Sequence, residues 1–358
     1  MKRRILTNEL LDNLGYNLQC TYRNNAILYE SIRPYSMLYW ILFKEYDTGF
    51  WEKSLYKFIV EKTQIQLVPY INDEGSFSDL ILDCLNDKRV GILHSDHFFN
   101  VNYINYYKSQ HYLHPFILVG CTRNTDELII LDEDINEVKH LDKYYLWPMH
   151  EISYSYENLK KLCCNIDIHM VKGDFKNRIY KNNHIFYFSE AKLLSKSLDG
   201  RECNVVDIIE TYRSFLKTIL NQIEQYTSFY LDLLKAFTEN ERSNENDVLI
   251  KTFYAHNKAI NVQARFFLLI LHDRQNQNYM EFHEFITSNI FPKYIETYNI
   301  MVKYALTHKH TYKEKLKVFF SDFATYETHF VSLLLSMLND TDELAIKFSN
   351  INNWRAQK

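Results

Sequence analysis

The chain has 358 residues and carries 41 Lys and Arg against 45 Asp and Glu, a formal net charge of −4, so overall charge makes no case for nucleic-acid binding. Hydrophobic residues at 46% and charged residues at 24% fit a globular protein long enough for two domains. Only 7 Gly and 5 Pro argue against a loop-rich chain, and no Gly-rich phosphate loop or dinucleotide fingerprint occurs, which disfavours nucleotide-dependent chemistry.

In chain order, residues 21–29 read as a helix with Cys20 at its start, and 36–43 and 52–62 as further helices. Residues 65–70 have β character. Ser76-Phe-Ser-Asp79 offers a cap for a helix through Leu85. Three short apolar runs follow, at 90–94, 115–120 and 128–131, each a strand candidate. Residues 153–163 read as a helix capped at Ser155, and 185–188 as a last strand. Beyond residue 203 the pattern turns helical, with apolar residues at three- and four-residue spacing over 205–237, 247–271, 280–307 and 312–338. The expected architecture is an α+β domain over 1–200 with an appended all-α helical domain over 201–358.

Six cysteines, at 20, 84, 121, 163, 164 and 203 and with no CxxC pair, build neither a disulfide framework nor a four-cysteine zinc site. Most are expected to be buried, inert thiols. Met1-Lys-Arg-Arg4 is basic, yet no apolar stretch follows it, and no run approaches the roughly 20 residues of a membrane span. A cytoplasmic protein acting without membrane or nucleic acid is the expectation.

One constellation carries chemistry. His114 opens the apolar run Pro115–Gly120, and Asp132 closes the run Glu127–Leu131. A hairpin turning near Arg123 would set 114 opposite 132, 116 opposite 130 and 118 opposite 128, with facing Cβ atoms about 5 Å apart. Asp132 could then accept from one imidazole nitrogen and leave the other to act on a thiol. Cys20, immediately before a helix, supplies that thiol, since a helix N-terminus and a nearby imidazolium both favour the thiolate.

Three segments, Leu93-His-Ser-Asp-His-Phe-Phe-Asn-Val-Asn-Tyr103, Tyr112-Leu-His-Pro-Phe-Ile-Leu-Val-Gly120 and Leu131-Asp-Glu-Asp134, together with residues 13–30 and 153–162, resemble the butirosin biosynthesis protein H family. That family is similar in fold to papain and to the peptidase domains that trim double-glycine leaders. The resemblance implies a papain-like cysteine-protease fold with Cys20, His114 and Asp132 as catalytic residues. It further implies an amide synthase that takes an acyl group from a carrier-protein thioester and passes it to a small-molecule amine. Phosphopantetheine would then come with the donor, and the protein itself would need no cofactor. Papain-like enzymes usually keep an oxyanion-stabilising Gln several residues before the Cys. Leu14 stands there in this chain, which leaves Asn13, Asn17, Gln19 or the Cys20 backbone N–H for that role. Asp96 and His97, at the end of the preceding strand, are expected to line the cleft and touch substrate.

Other readings stay open. The same triad with water as acceptor would make a cysteine peptidase or thioesterase, and a degenerate triad would leave a binding protein. His94, His97, His111 and His114 are a weak metal candidate, because residues three apart on a strand point to opposite faces. The basic run of Lys303, His308, Lys309, His310, Lys313, Lys315 and Lys317 is a solvated helical face or a dock for an acidic carrier protein. The choice between monomer and homo-oligomer is not encoded in any motif.

Overall fold

The apolar runs of the first region pair as an antiparallel sheet in the order β1 (Ile65–Asn72), β9 (His184–Leu193), β2 (Gly91–Asp96), β3 (Leu113–Cys121), β4 (Glu127–Glu133), β7 (Met149–Ser155). A short β8 (Ile166–Asp167) adds to β9, and β5 (Lys139–Leu141) and β6 (Tyr144–Leu146) form a separate two-stranded ribbon. Helices α1 (Cys20–Ile32), α2 (Met37–Leu42) and α3 (Leu55–Thr63) precede the sheet, α4 (Phe77–Leu85) follows β1, and α5 (Tyr156–Cys163) follows β7. In this computed structural model the described residues are 20–72, 77–86, 91–100, 107–121, 127–133, 139–141, 144–146, 149–167, 170, 184–198, 201–239, 246–271, 276–339 and 341–350.

Both faces of the sheet are covered, so its central strands are apolar on both sides. On one face Leu93, Phe116, Leu118, Leu128, Ile130, Phe186 and Phe188 form a core with Phe77, Leu80 and Ile81 of α4 and Leu159 and Leu162 of α5. Cys163 and Cys164 lie in that core, where burial, reinforced by Cys164, pushes the Cys163 thiol well up. Ile92, Ile117, Val119, Ile129 and Leu131, on the opposite face, are buried as well. α1 lies against β2, β3 and β9, contributes nothing to the first core and so covers that second face. Pro69 is tolerated because β1 is an edge strand.

One sequence expectation changes in the sheet region. The helix expected over 153–163 begins only at Tyr156, with Ser155 as the cap accepting from the Asn158 N–H, and the residues before it are β7. Strand alternation there is masked because Tyr156 falls in helical phase with Leu159 and Leu162, so the helical pattern reads on from the strand without a break. The expected cap at Ser76 lies outside the described residues.

The chain divides into two units, one of residues up to Met37 with Val60–Glu202, the other of Leu38–Ile59 with the chain from Cys203 onward. The unexpected part is Leu38–Ile59, whose rings pack into the helical unit rather than the sheet unit. Phe43 meets Tyr212 at 5.5 Å between ring centroids, and Tyr46 stacks on Phe215 at 4.8 Å. Gly49, at φ 80°, ends the 3-10 turn Lys44–Thr48 in a left-handed conformation that suits glycine.

The helical unit contains α6 (Val205–Asn221), α7 (Ile223–Glu239), α8 (Asn246–Ile270), α9 (Gln277–Phe285), α10 (Phe291–Thr307), α11 (His310–Met337) and α12 (Thr341–Asn350). The single helix expected over 205–237 is broken at Gln222, and the one over 280–307 contains a wide π turn, Ile286–Ile290, just ahead of Pro292. Pro292 has no N–H to give, so the preceding turn loosens rather than continuing in α geometry. Lys303, Lys309, Lys315 and Lys317 of the basic run are exposed, while Lys313 is half-buried and donates to the Thr238 carbonyl at 3.4 Å. No described helix is long and apolar enough to cross a membrane.

The centre of this unit is charged. His256 is fully buried between two carboxylates, its Nδ1 donating to Glu45 Oε1 at 2.6 Å and its Nε2 to Glu327 Oε1 at 3.0 Å. Tyr226 also donates to Glu45, and Tyr294 to Glu327. Burial alone would push the imidazole down, but Glu45 and Glu327 together overcome it and raise His256 to about 10.

Two measurements test this account. At Gly91, an added Cβ would sit 2.3 Å from the Ser189 carbonyl oxygen and from Phe188 Cζ, so Gly91→Ala is expected to cost ~1–3 kcal/mol in urea unfolding; an unchanged midpoint would refute the close approach of β2 to β9. The His256 contribution is complete below pH 6.5, because the imidazole is charged in both states there, and is lost as pH rises through about 10. Stability should therefore fall across that window with a component of at most about 1.4 kcal/mol per pH unit. The same slope in His256→Gln would count against it.

Candidate functional site

His114 is the second residue of β3 and Asp132 the sixth of β4. The observed register sets Ile117 opposite Leu131 and Leu118 opposite Ile130, then Gly120 opposite Ile129 and Cys121 opposite Leu128. His114 is therefore not directly opposite Asp132, as the simple hairpin required. Near the turn the pairing is offset by three residues from the expected one, an odd number that would put the two side chains on opposite faces. A bulge of one residue at Val119 removes one step of that offset. The remaining shift of two restores the common face and makes His114 and Asp132 diagonal neighbours. Nε2–H of His114 donates to Asp132 Oδ1 at 2.6 Å, with His114 4% and Asp132 1% exposed.

The backbone at this end of β3 also holds α1. Pro115 has no N–H, so its place opposite His94 is a non-hydrogen-bonded one and its carbonyl points away from β2. The β3–β4 ladder has already stopped at Ile117, and the Pro115 carbonyl accepts from Asn24 Nδ2 at 2.8 Å. Asn24 lies one turn after Cys20 in α1, the i to i+4 relation that stacks residues on one helix face. Cys20 opens α1 and its side chain lies outside the described residues, as do Asn13, Leu14, Asn17 and Gln19.

Asp96 and His97 are brought to the same place, each with an internal task. The Asp96 carboxylate, 0% exposed, accepts from the Phe98 N–H at 3.0 Å and the Tyr112 N–H at 3.1 Å, and from His111 Nδ1 at 2.6 Å. It caps the short turn His97–Phe99 and ties that turn to the entry of β3. The buried His97 ring stacks on the His114 ring with centroids 4.4 Å apart. His94, on the other face of β2, stacks on Tyr187 at 4.3 Å.

The two histidines beside His114 are held neutral. Burial, with the charge of His114 as a second cause, lowers His94 to about 3. Burial and then His114 lower His97 to about 3 also, against an opposing pull from Asp132. Among the described residues no three His, Cys, Asp or Glu side chains converge as metal ligands.

Sequence reasoning missed Asn24, although a polar residue one helical turn after the candidate nucleophile was a usable signal. It considered His111 only as a metal candidate and Tyr112 only as part of a resembling segment; their contacts with Asp96 come from the bend that returns them to it.

The depressed histidines have a stability consequence. An unfolded chain takes up protons at His94 and His97 near pH 6.5 while the folded one stays neutral down to about 3. Stability should be full above pH 6.5 and decline as pH falls towards 3. His97→Phe should flatten that decline by up to about 1.4 kcal/mol per pH unit in urea titrations; an unchanged acid slope would contradict a buried neutral His97.

No protein-family model matches this chain, and no functionally characterised protein matches it at a significant level.

Proposed function

We propose that the chain is a cysteine-dependent acyltransferase that forms amide bonds in natural-product biosynthesis, built on a papain-like domain and working in the cytoplasm. The observation that carries the proposal is the buried Nε2–H of His114 donating to Asp132 at 2.6 Å, on a strand whose next residue, Pro115, is hooked to the helix that Cys20 opens. With Nε2 committed to Asp132, Nδ1 is the nitrogen that a thiol would use. The start of α1 and an imidazolium both favour the thiolate. His114 lies on the face of β3 opposite α1, so the sulfur would come to Nδ1 round the end of the sheet, where the β3–β4 ladder has stopped.

In this reading Nδ1 takes the Cys20 proton and the thiolate attacks the carbonyl of a carrier-bound thioester. The carbon–sulfur bond to phosphopantetheine breaks, that sulfur leaves with the proton from His114, and the acyl group remains on Cys20. An amine then attacks the acyl-enzyme, His114 takes its proton, and the amide is released as Cys20 recovers its thiol. The donor thioester supplies the driving force, so no nucleotide is required. Asn17, Gln19 or the Cys20 backbone N–H would stabilise the oxyanion.

Intact mass spectrometry after incubation with acyl-N-acetylcysteamine thioesters tests this. An acyl adduct is expected on the wild type and not on Cys20→Ala, with discharge by added amines faster than by water. His114→Ala and Asp132→Asn should slow its formation by roughly 100-fold or more. Discharge faster by water than by amine would instead make the protein a hydrolase. Absence of an adduct across several donors, or an adduct that survives Cys20→Ala, would leave a binding protein.

A further inference from the structure

His97 has no part in the triad proposed above, yet it lies face to face with the histidine of that triad. The two ring planes are 27° apart with centroids at 4.4 Å, and Tyr112 continues the stack on His97 at 5.8 Å and 19°. His97 is 1% exposed. Its backbone is clamped twice: the His97 N–H donates to the Tyr112 carbonyl at 3.0 Å, and Asp96 caps the turn through the Phe98 N–H while also holding the Tyr112 N–H. The ring is thus delivered by the junction of β2 with the entry of β3.

The hydrogen bond to Asp132 holds the Nε2 side of the His114 imidazole, and rotation of such a ring about its own torsion is a broad degree of freedom. A flat ring against its face removes that motion without taking either nitrogen. From these contacts we propose that His97 is a positioning residue, an aromatic plate that fixes the plane of the His114 ring so that Nε2 stays on Asp132 and Nδ1 stays directed at the thiol. The inference rests on the triad reading. The plate itself stays neutral, held so by burial and by the proximity of His114, and the face of a neutral aromatic ring favours a cation stacked on it. Among the described residues the other titratable groups around it include Tyr112 stacked on it, His94 of β2, Asp132 of β4, and Asp96 with its partner His111.

The test compares wild type, His97→Phe, which keeps a flat ring, and His97→Ala, which removes it. The first readout is the downfield proton resonance of the His114–Asp132 hydrogen bond, identified by its absence in Asp132→Asn and recorded in a Cys20→Ala background. It should be sharp with His or Phe at 97 and exchange-broadened with Ala. The second is the pH profile of Cys20 alkylation by iodoacetamide. His97→Phe should keep the acid limb and rate of the wild type within about threefold. His97→Ala should be slowed roughly 10–100-fold, the scale of a misplaced catalytic group, with its acid limb moved towards neutral pH. A sharp resonance with an unmoved profile in His97→Ala would overturn the proposal. So would a folded His97→Phe protein as impaired as His97→Ala. If the resonances behave as expected but wild-type Cys20 alkylates like an ordinary thiol, the plate stands and the triad reading falls.

Discussion

The candidate site depends on one residue that touches nothing in it. Val119 is the extra residue of a β-bulge, and its insertion decides which face of the sheet Asp132 shares with its neighbours on β3. Strand geometry alternates strictly, so a hairpin register wrong by one residue turns every side chain over. Had the pairing near the turn continued unbroken, Asp132 would face the side of Ile117 and Val119, away from His114. The buried hydrogen bond from His114 to Asp132 follows once that face is set.

The sheet unit was largely legible in the sequence because its strands are short, apolar and bounded by turns, and because buried strands of this kind stand apart from the amphipathic helices around them. The runs near 65, 90, 115, 128 and 185 all reappear as strands, with bounds moved by a few residues. β7 escaped because it runs straight into α5, whose Tyr156, Leu159 and Leu162 keep a helical spacing that overrides the short strand before them. The pairing of His114 with Asp132 was anticipated, but for a register that does not occur. A bulge has no sequence signal beyond an ordinary valine, and the anticipated contact survives because two errors of register cancel in parity. The Leu38–Ile59 segment was misassigned for a different reason: periodicity shows that a helix buries a face, never against which partner.

Buried histidines in this chain take opposite states under the same desolvation. His94 and His97 sit among rings and remain neutral, whereas His256 sits between Glu45 and Glu327 and remains charged. At His94 and His97 burial and the charge of His114 dominate, with Asp132 opposing only at His97. In the helical unit two carboxylates hydrogen-bond one imidazole and outweigh its burial, and Tyr226 and Tyr294 donate to those same carboxylates.

The assignment of Leu38–Ile59 to the helical unit also shapes how the protein comes off the ribosome. Phe43, Tyr46, Trp51 and Glu45 are translated long before Tyr212, Phe215 and His256, the residues against which they pack. During that interval the aromatic segment lacks the rings that later cover it, and Glu45 lacks His256. The nascent chain therefore carries a sticky segment for the whole time that the strands are made, a natural binding target for chaperones. A genetic cut at the apparent domain boundary would release two fragments, one keeping that segment exposed and the other missing the acid that holds its central histidine.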